Sequence, residues 1–394
     1  MNILIYNFNE PYPRQGGMER VTDMLARQLK KNGHEVYLLC NYKNRLDAVY
    51  ESVVPIYFLP MPHNQSASSN KKFVKSLIVD KKIRCIIDQA EGGIVGRFGI
   101  FKKKNDFVYD VKLVAVLHSS ALSHINNLPI LLNSACWERI SSISFGVLFN
   151  MYVYIKKKRA IRLRRFLYKR LNADYDAIVM LSRKFWPEFK YFCPKVDENK
   201  LWAIPNFNVY ENICLPKIKS KTVLFVGRLH NLSKGVDRLL EIWSRVYFKH
   251  PDWNLKIVGD GPDRSQLEKM AAELSLDNIS FEGFQSPGPY YEEAQIFCMT
   301  STFEGFGMVL TEAMQHGNVP LAFQSYSSIT DIVDDGVDGY LIKPFDIEEY
   351  ASRLDELMGN EKLRMLMSLK CISDVKKFDV YNIMGLWNHL IDQM

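Results

Sequence analysis

Residues 301–317 read S-T-F-E-G-F-G-M-V-L-T-E-A-M-Q-H-G, and the fold follows from how that stretch is parsed. A β-leaning apolar run, residues 296–300, leads into it, and residues 310–315 carry a helical pattern that Gly317 stops. The turn between them holds Glu304, Gly305, Phe306 and Gly307, followed by Met308 and Val309. The two glycines let backbone N–H groups approach a ligand closely, and the N-terminus of the helix that follows favours anionic oxygens. Glu304 closes the strand; Glu312 falls about two helical turns further on. A phosphate-bearing ligand laid along the turn meets a carboxylate at each end, the outline of a nucleotide-sugar site. The same E-G-F-G also serves as a plain strand–turn–helix junction, so its company matters.

That company alternates strand and helix throughout the second half. Residues 222–226 read as a strand, followed by Gly227-Arg228, and Lys234-Gly235 precede a helix over 236–247. Arg228 and Lys234 flank a strand-to-helix loop, where they act either as a cationic clamp for a diphosphate or as solvated surface charges. Next come a strand over 254–258, the turn Gly259-Asp260-Gly261-Pro262, a helix over 264–274, a strand over 279–281, and Gly283-Phe284. A short helix near 290–294 precedes the opening stretch. A strand over 319–323, the glycines Gly336 and Gly339, and a helix over 347–358 continue the pattern. This is a doubly wound α/β domain.

The first half repeats the alternation. A strand over 2–6 runs into a loop over 7–17 that ends on Gly16-Gly17, then a helix over 18–32 with Met18, Val21, Leu25 and Leu29 on one stripe, and a strand over 35–40. Gly16 and Gly17 either let the loop turn or offer free N–H donors to an anion; they are not a G-x-G-x-x-G. Further strands are expected at 56–59, 85–88, 113–118 and 177–181, and the third of these ends on His118. In an open α/β sheet that edge lines the ligand crevice, so His118 is either structural or a site residue.

Composition supports two domains: 394 residues with 47% hydrophobic and 24% charged. The seven cysteines (Cys40, Cys85, Cys136, Cys193, Cys214, Cys298, Cys371) are scattered and form no C-x-x-C pair, the mark of buried reduced thiols rather than a disulfide framework or zinc site. Residues 1–8 read as a strand with no basic n-region or cleavage site, so no signal peptide is expected, and no window has the roughly 18 unbroken apolar residues of a transmembrane helix. Charge divides unevenly. Residues 1–215 hold 33 Lys and Arg against 18 Asp and Glu, whereas residues 216–394 hold 18 against 26. A basic first half suits an anionic partner, yet no nucleic-acid motif accompanies it and no nucleic acid is expected.

Residues 140–170 stand apart. The segment 140–155 is mildly apolar and aromatic, with Phe145, Phe149, Tyr152 and Tyr154; residues 156–170 then carry nine basic side chains and no acidic one. Ile155, Leu163, Phe166, Leu167 and Leu171 share part of one helical face, so Lys156, Lys157, Lys158, Arg159, Arg162, Arg164 and Arg165 are expected on an amphipathic helix that lies on an anionic lipid surface. The other reading is a solvated connecting helix packed on the sheet by that same face.

The ordered set G-R-x5-K-G, G-D-G-P, E-G-F-G-M-V-L-T-E-A-M-x-x-G-x-x-P and D-G-x-x-G-Y-L resembles the group 1 or family 4 retaining glycosyltransferases. The resemblance covers nearly all of the second domain and, through Gly16-Gly17 and His118, reaches the first. It implies the GT-B fold, α/β with two doubly wound Rossmann-like domains facing across a cleft. Residues 1–212 would form the acceptor-side domain with a crossing C-terminal helix, 376–394, and residues 213–375 the nucleotide-sugar domain. By that match Arg228 and Lys234 hold the donor diphosphate, and Glu304 meets the transferred sugar and the reaction centre. Glu312 holds the ribose, and the backbone from Gly305 through Phe306, Gly307 and Met308 to Val309 meets sugar and phosphate. Gly259, Gly261 and Phe284 border the base, while Gly16, Gly17 and His118 face donor sugar and acceptor.

The resemblance implies retention by a front-face path, with the departing phosphate oxygen helping to deprotonate the acceptor hydroxyl. Two fixed cations and a helix N-terminus can stabilise a diphosphate leaving group without a divalent ion, so no metal or cofactor is expected. The one D-x-D triplet, Asp174-Tyr175-Asp176, precedes a strand and reads as a structural turn at the far sheet edge. The expected donor is a UDP-hexose, glucose or galactose. The expected acceptor is a saccharide, lipid-linked, in bacterial polysaccharide or lipopolysaccharide assembly, with the protein cytoplasmic and peripheral on the inner membrane face. Two alternatives stay open: a GT-B nucleotide-sugar 2-epimerase, and a catalytically silent sugar-nucleotide-binding protein. An NAD enzyme is disfavoured for want of G-x-G-x-x-G.

Overall fold

The computed structural model describes residues 1–13, 16–43, 50–95, 99–101, 106–107, 110–128, 143–210 and 219–394, with backbone alone for residues 121, 123, 124 and 143–148. Cys136, Cys214 and the Phe145 side chain lie outside the described residues. The chain separates into two compact units: Met1–Ala121 with Lys156–Phe207 and Tyr381–Met394, and Leu122–Ile155 with Asn208–Val380.

The first unit is built on seven strands, all parallel: β1 (Asn2–Asn9), β2 (Glu35–Tyr42), β3 (Ile56–Phe58), β4 (Cys85–Asp88), β5 (Lys112–Leu117), β6 (Ala177–Met180) and β7 (Leu201–Ala203), in the order β3-β2-β1-β4-β5-β6-β7. A parallel sheet needs helical crossovers that cover both faces, so its strands are apolar nearly throughout: Ile3, Leu4, Ile5, Ile86, Ile87 and Val114 are fully buried. The helices of this half of the chain are α1 (Gly17–Lys31), α2 (Ser68–Asp80), α3 (Ala121–Asn126), α4 (Ile143–Asp174) and α5 (Trp186–Phe192). Neither α2 nor α5 was legible in the pattern; α2 buries only Asn70, Val74, Leu77 and Ile78, too few apolar positions to declare a period. Within this unit the C-terminal residues return to the sheet: Asn32 Nδ2 donates to Asn388 Oδ1 at 3.1 Å, and the Trp202 and His389 rings meet edge-on at 5.5 Å.

The structure corrects the reading of α4. The expected apolar face divides. Leu171 is buried together with Tyr168, which packs on Phe189 and Phe192, whereas Ile155, Leu163 and Phe166 are exposed along with Met151, Tyr152 and Tyr154. Val153, near the start of this 32-residue helix, is buried as well, so its side chains serve two environments. Arg164 leaves the expected basic surface as well: it hydrogen-bonds Tyr168 and faces the Glu91 carboxylate.

The second unit carries six parallel strands, β8 (Thr222–Val226), β9 (Asn254–Val258), β10 (Ile279–Gly283), β11 (Ile296–Met299), β12 (Val319–Phe323) and β13 (Tyr340–Ile342), in the order β10-β9-β8-β11-β12-β13. Its helices are α6 (Asn231–Lys234), α7 (Val236–Ser244), α8 (Arg264–Glu273), α9 (Gly288–Glu293), α10 (Met308–Gln315), α11 (Ile347–Gly359) and α12 (Glu361–Asp374); α13 (Val380–Asp392) ends the chain. Trp243, Trp253, Leu240, Ile257, Tyr350 and Leu354 fill one core. Helix α12 escaped the sequence pattern because Met365, Leu366 and Leu369 are exposed and blur its stripe. In each sheet the strand order reverses once, between β1 and β4 and between β8 and β11, and ligands of open α/β sheets sit at the carboxyl ends of strands at such a switch point.

Candidate active site

The switch point of the second unit assembles the residues singled out around Glu304. Three loops leave β8, β9 and β10 side by side, laced by backbone bonds: Gly227 N donates to Val258 O at 3.0 Å, Leu229 N to Asp260 O at 2.9 Å, and Gly259 N to Gly283 O at 2.8 Å. A Cβ on Gly259, at φ +138°, would lie 1.9 Å from Gly227 O, so the loops can meet this closely only with glycine there. The same loops carry Gly261, Phe284, whose ring is 63% exposed, and Arg228, whose exposed guanidinium has no ion pair among the described residues. An exposed ring beside the loop that carries Arg228 is available to stack on a flat base.

The loop after β11 is tied to the loop bearing Lys234. Thr302 N donates to Ser233 O at 2.8 Å, Thr300 Oγ1 to Lys234 O at 3.0 Å, and Arg238 Nη1 to Thr302 Oγ1 at 3.0 Å. Gly235, left-handed at φ +61°, separates α6 from α7 and permits the approach of Thr300 O, which a Cβ would meet at 2.4 Å. These bonds bring the Lys234 ammonium onto Glu304 Oε1, which also accepts from Ser301 Oγ at 2.8 Å. Two residues assigned to different parts of a donor thus pair with each other here.

Helix α10 starts at the same place. Gly307 is its N-cap, at φ +84° and without a side-chain cap bond, so Met308 and Val309 present the N–H groups that a helix start leaves without an intrahelical partner. The preceding turn is held from behind: Ser328 Oγ donates to Gly305 O at 3.2 Å and Tyr326 OH to Phe306 O at 3.3 Å, while the Phe306 ring turns inward against Phe378. Glu312, eight residues beyond Glu304, is buried on α10, and its Oε2 accepts from Tyr291 OH at 3.0 Å. Its carboxylate is therefore positioned by a phenol.

In the first unit, Gly16 is the N-cap of α1 and Gly17 its first residue. The Glu19 carboxylate comes back toward them: a Cβ on Gly16 would lie 2.6 Å from Glu19 Oε2, and Glu19 Oε1 accepts from Asn9 Nδ2 at 3.2 Å. His118 follows β5, with Nε2 at 2.6 Å from Gln89 Oε1, and burial pushes its pKa down to about 4, so the imidazole is neutral. Gln89 and Asn7, buried at the ends of β4 and β1, were not singled out in the sequence. Polar residues closing apolar strands at the edge that drew attention to His118 were the available signal. The D-x-D triplet is used in folding: Tyr175 OH donates to Asp88 Oδ2 at 2.5 Å, Asp176 Oδ2 accepts from Leu113 N at 2.8 Å, and Arg170 pairs with Asp174 at 3.1 Å. Among the described residues no group of three His, Cys, Asp or Glu is arranged to hold a metal ion, and no helix is long and apolar enough to cross a membrane.

The chain is built on two doubly wound parallel sheets, each with loops gathered at its switch point, and comparison with known proteins gives its family. The family described as glycosyl transferases group 1 matches residues 212–370, and glycosyltransferase family 4 matches residues 15–207. An uncharacterized glycosyltransferase of Haemophilus influenzae is 29% identical over 386 residues, 95% of this chain and 96% of its own length. The crystal structure of Anabaena HepE in complex with UDP and glucose superposes with a TM-score of 0.73 over all of both chains at 17% identity. The apo lipopolysaccharide outer core galactosyltransferase WaaB superposes at 0.69, also at 17% identity, covering 100% of this chain and 99% of that one. The chain belongs to the group 1 / family 4 glycosyltransferases and has the GT-B fold.

Proposed function

We propose that this protein is a retaining hexosyltransferase that moves glucose or galactose from its UDP-linked form to a saccharide acceptor, lipid-linked, in polysaccharide or lipopolysaccharide assembly. The observation that carries the reading is the meeting of Lys234 and Glu304 at the second unit's switch point, beside the uncapped start of α10. Charge develops on the diphosphate as the bond from the anomeric carbon to phosphate oxygen breaks. Arg228, Lys234 and the first N–H groups of α10 are the donors that stabilise it, with no divalent ion required of the mechanism. Glu304 exchanges Lys234 for the hydroxyls of the transferred hexose, and Glu312 with Tyr291 holds the ribose. Gly259 and Gly261 shape the loops beside the base, and Phe284 stacks on it. The acceptor oxygen forms its bond on the face the phosphate leaves, and its proton passes to the departing phosphate oxygen. Gly16, Gly17 and His118 meet the transferred sugar and the acceptor.

The UDP and glucose bound to HepE, and the galactosyl transfer named for WaaB, support the choice of donor. Exposed Ile155, Leu163 and Phe166 among Lys156, Lys157, Lys158, Arg159, Arg162 and Arg165 support an anionic membrane face on α4, where a lipid-linked acceptor is met. The test is UDP release from a panel of UDP-hexoses with and without extracted membrane glycolipids. Release that depends on one hexose and rises with lipid is expected, and Glu304→Ala abolishes it. An epimerised nucleotide sugar with no transfer refutes the reading in favour of the epimerase, and UDP binding without release refutes it in favour of a silent binding protein.

A further inference from the structure

The first unit has its own switch point, and there two buried side chains carry polar atoms with no partner. Asn7 is fully buried and Gln89 is 1% exposed; Asn7 Oδ1 and Gln89 Nε2 make no hydrogen bond. Their other amide atoms are engaged, and the bond to a backbone carbonyl fixes how the Asn7 amide is turned. Asn7 Nδ2 donates to Asn9 O at 2.8 Å, and Gln89 Oε1 lies 2.6 Å from His118 Nε2. A neutral imidazole protonated at Nε2 donates to that carbonyl and leaves Gln89 Nε2 unengaged.

Register puts these residues on one face. Tyr6 pairs with Asp88 across β1 and β4, and Gln89 N donates to Tyr6 O, so Asn7 and Gln89 are neighbours one step further along. Asp88 pairs with Ala115 across β4 and β5, which sets Gln89 opposite Val116 and on the same face as His118, two residues on. In-register neighbours of a parallel sheet point to the same side about 4.8 Å apart. Asn7 and Gln89 are therefore side by side on this face, and His118, one pleat beyond Val116, reaches Gln89 through its ring. The opposite face is internally satisfied. Tyr6 OH donates to Asn41 Oδ1 at 2.7 Å and accepts from Gln65 Nε2 at 3.1 Å, and Asp88 accepts from Tyr175 OH, Ala90 N and Ile94 N. An orphan acceptor next to an orphan donor occurs only on the Asn7 face of this pair of strands, and each orphan costs about 1–3 kcal/mol unless a ligand meets it.

We infer that the ends of β1 and β4 hold a hydroxyl of an uncharged saccharide acceptor, Asn7 Oδ1 accepting from it and Gln89 Nε2 donating to it, with His118 as a positioning residue that keeps the Gln89 amide turned. This rests on the reading of the chain as a glycosyltransferase and gives its acceptor a chemistry. A hydroxyl both donates and accepts, so one such group satisfies both orphans. A phosphate has no proton to give Asn7 Oδ1 in its dianionic form, and it would meet the Glu19 carboxylate that Asn9 brings to the same face.

The test is equilibrium binding by saturation-transfer NMR, which needs no turnover. The probes are octyl glucoside, octyl galactoside and octyl mannoside below their micelle concentrations, against glucose 6-phosphate and galactose 6-phosphate. The protein is expected to bind at least one octyl hexoside and neither hexose phosphate more tightly. Gln89→Glu, which swaps the donor for an acceptor at constant shape, and Asn7→Leu each weaken that binding about tenfold to a hundredfold, while Asn7→Asp, which keeps an acceptor, retains most of it. UDP affinity stays within twofold of wild type in all three. The inference is overturned if the wild type binds no neutral hexoside, if it prefers a hexose phosphate, or if folded Gln89→Glu and Asn7→Leu bind as wild type. A drop in UDP affinity equal to the drop in hexoside affinity also overturns it. Failure of the wild type to release UDP from any UDP-hexose, with hexoside binding intact, sinks the proposed function and leaves this site standing.

Discussion

Removing Glu304 should make the protein bind UDP more tightly while it stops transferring sugar. The Lys234 ammonium rests on Glu304, and the two side chains are 24% and 14% exposed, so the pair is partly withdrawn from water. A diphosphate that claims Lys234 must first take it from that carboxylate. Exposed ion pairs are worth about 0.2–1 kcal/mol, and hydrogen bonds to charged groups in less solvated places about 1.5–3 kcal/mol. A half-buried pair with Ser301 Oγ as an additional donor to Glu304 lies between, at about 1–1.5 kcal/mol. Glu304→Gln keeps the shape and removes the charge, so UDP, which lacks the sugar Glu304 would recognise, should bind about fivefold to tenfold tighter. Lys234→Met should weaken UDP about thirtyfold or more, the worth of a charge-assisted bond to phosphate. Isothermal titration with UDP measures both, with thermal melts as the control for folding. UDP binding to folded Glu304→Gln that is unchanged or weaker than to wild type would show that the pair imposes no cost on the diphosphate, and the argument fails.

Three further outcomes are expected. Tyr175→Phe removes a 2.5 Å bond to buried Asp88 and the acceptor of Val95 N at 3.2 Å, and should lower unfolding free energy by about 2–4 kcal/mol in urea titrations; a change under about 0.5 kcal/mol refutes the structural role of the triplet. Burial pushes the Asp338 carboxyl up to about 6, so the folded state keeps a proton that the unfolded chain releases near pH 4; stability falls as pH rises through that window by about 3 kcal/mol and is flat above it. Asp338→Asn, which can still accept from Asp334 N, should flatten most of that slope in melts between pH 4 and 7.5, and parallel wild-type and mutant slopes refute it. Arg159→Glu with Arg162→Glu should cut binding to phosphatidylglycerol-containing vesicles at least tenfold in flotation assays, because each surface cation is worth about 1 kcal/mol; undiminished flotation refutes the membrane face.

Much of the second unit was legible because its signals are local. A β-leaning run, a glycine-bearing turn and a helical stripe occupy neighbouring residues, so the strand before Ser301 and helix α10 after Gly307 could be read within a residue or two. His118 was found by the same edge rule that would have found Asn7 and Gln89, had polar residues at strand ends been weighed as a set. The helices α2, α5 and α12 were missed where exposed apolar or buried polar side chains blur the period. Helix α4 was read as one face although its stripe divides between core and solvent.

Sequence alone determined the two doubly wound sheets, the family and the identity of the residues on the loops around Glu304, because hydrophobic period and turn chemistry act over a few residues. Tertiary structure decided which of those residues meet. Lys234 reaches Glu304 across 70 residues, Tyr291 holds Glu312 across 21, and Asn7, Gln89 and His118 come together only through strand register. Register and loop contact are set by the packing of whole strands, and no window of sequence contains both partners.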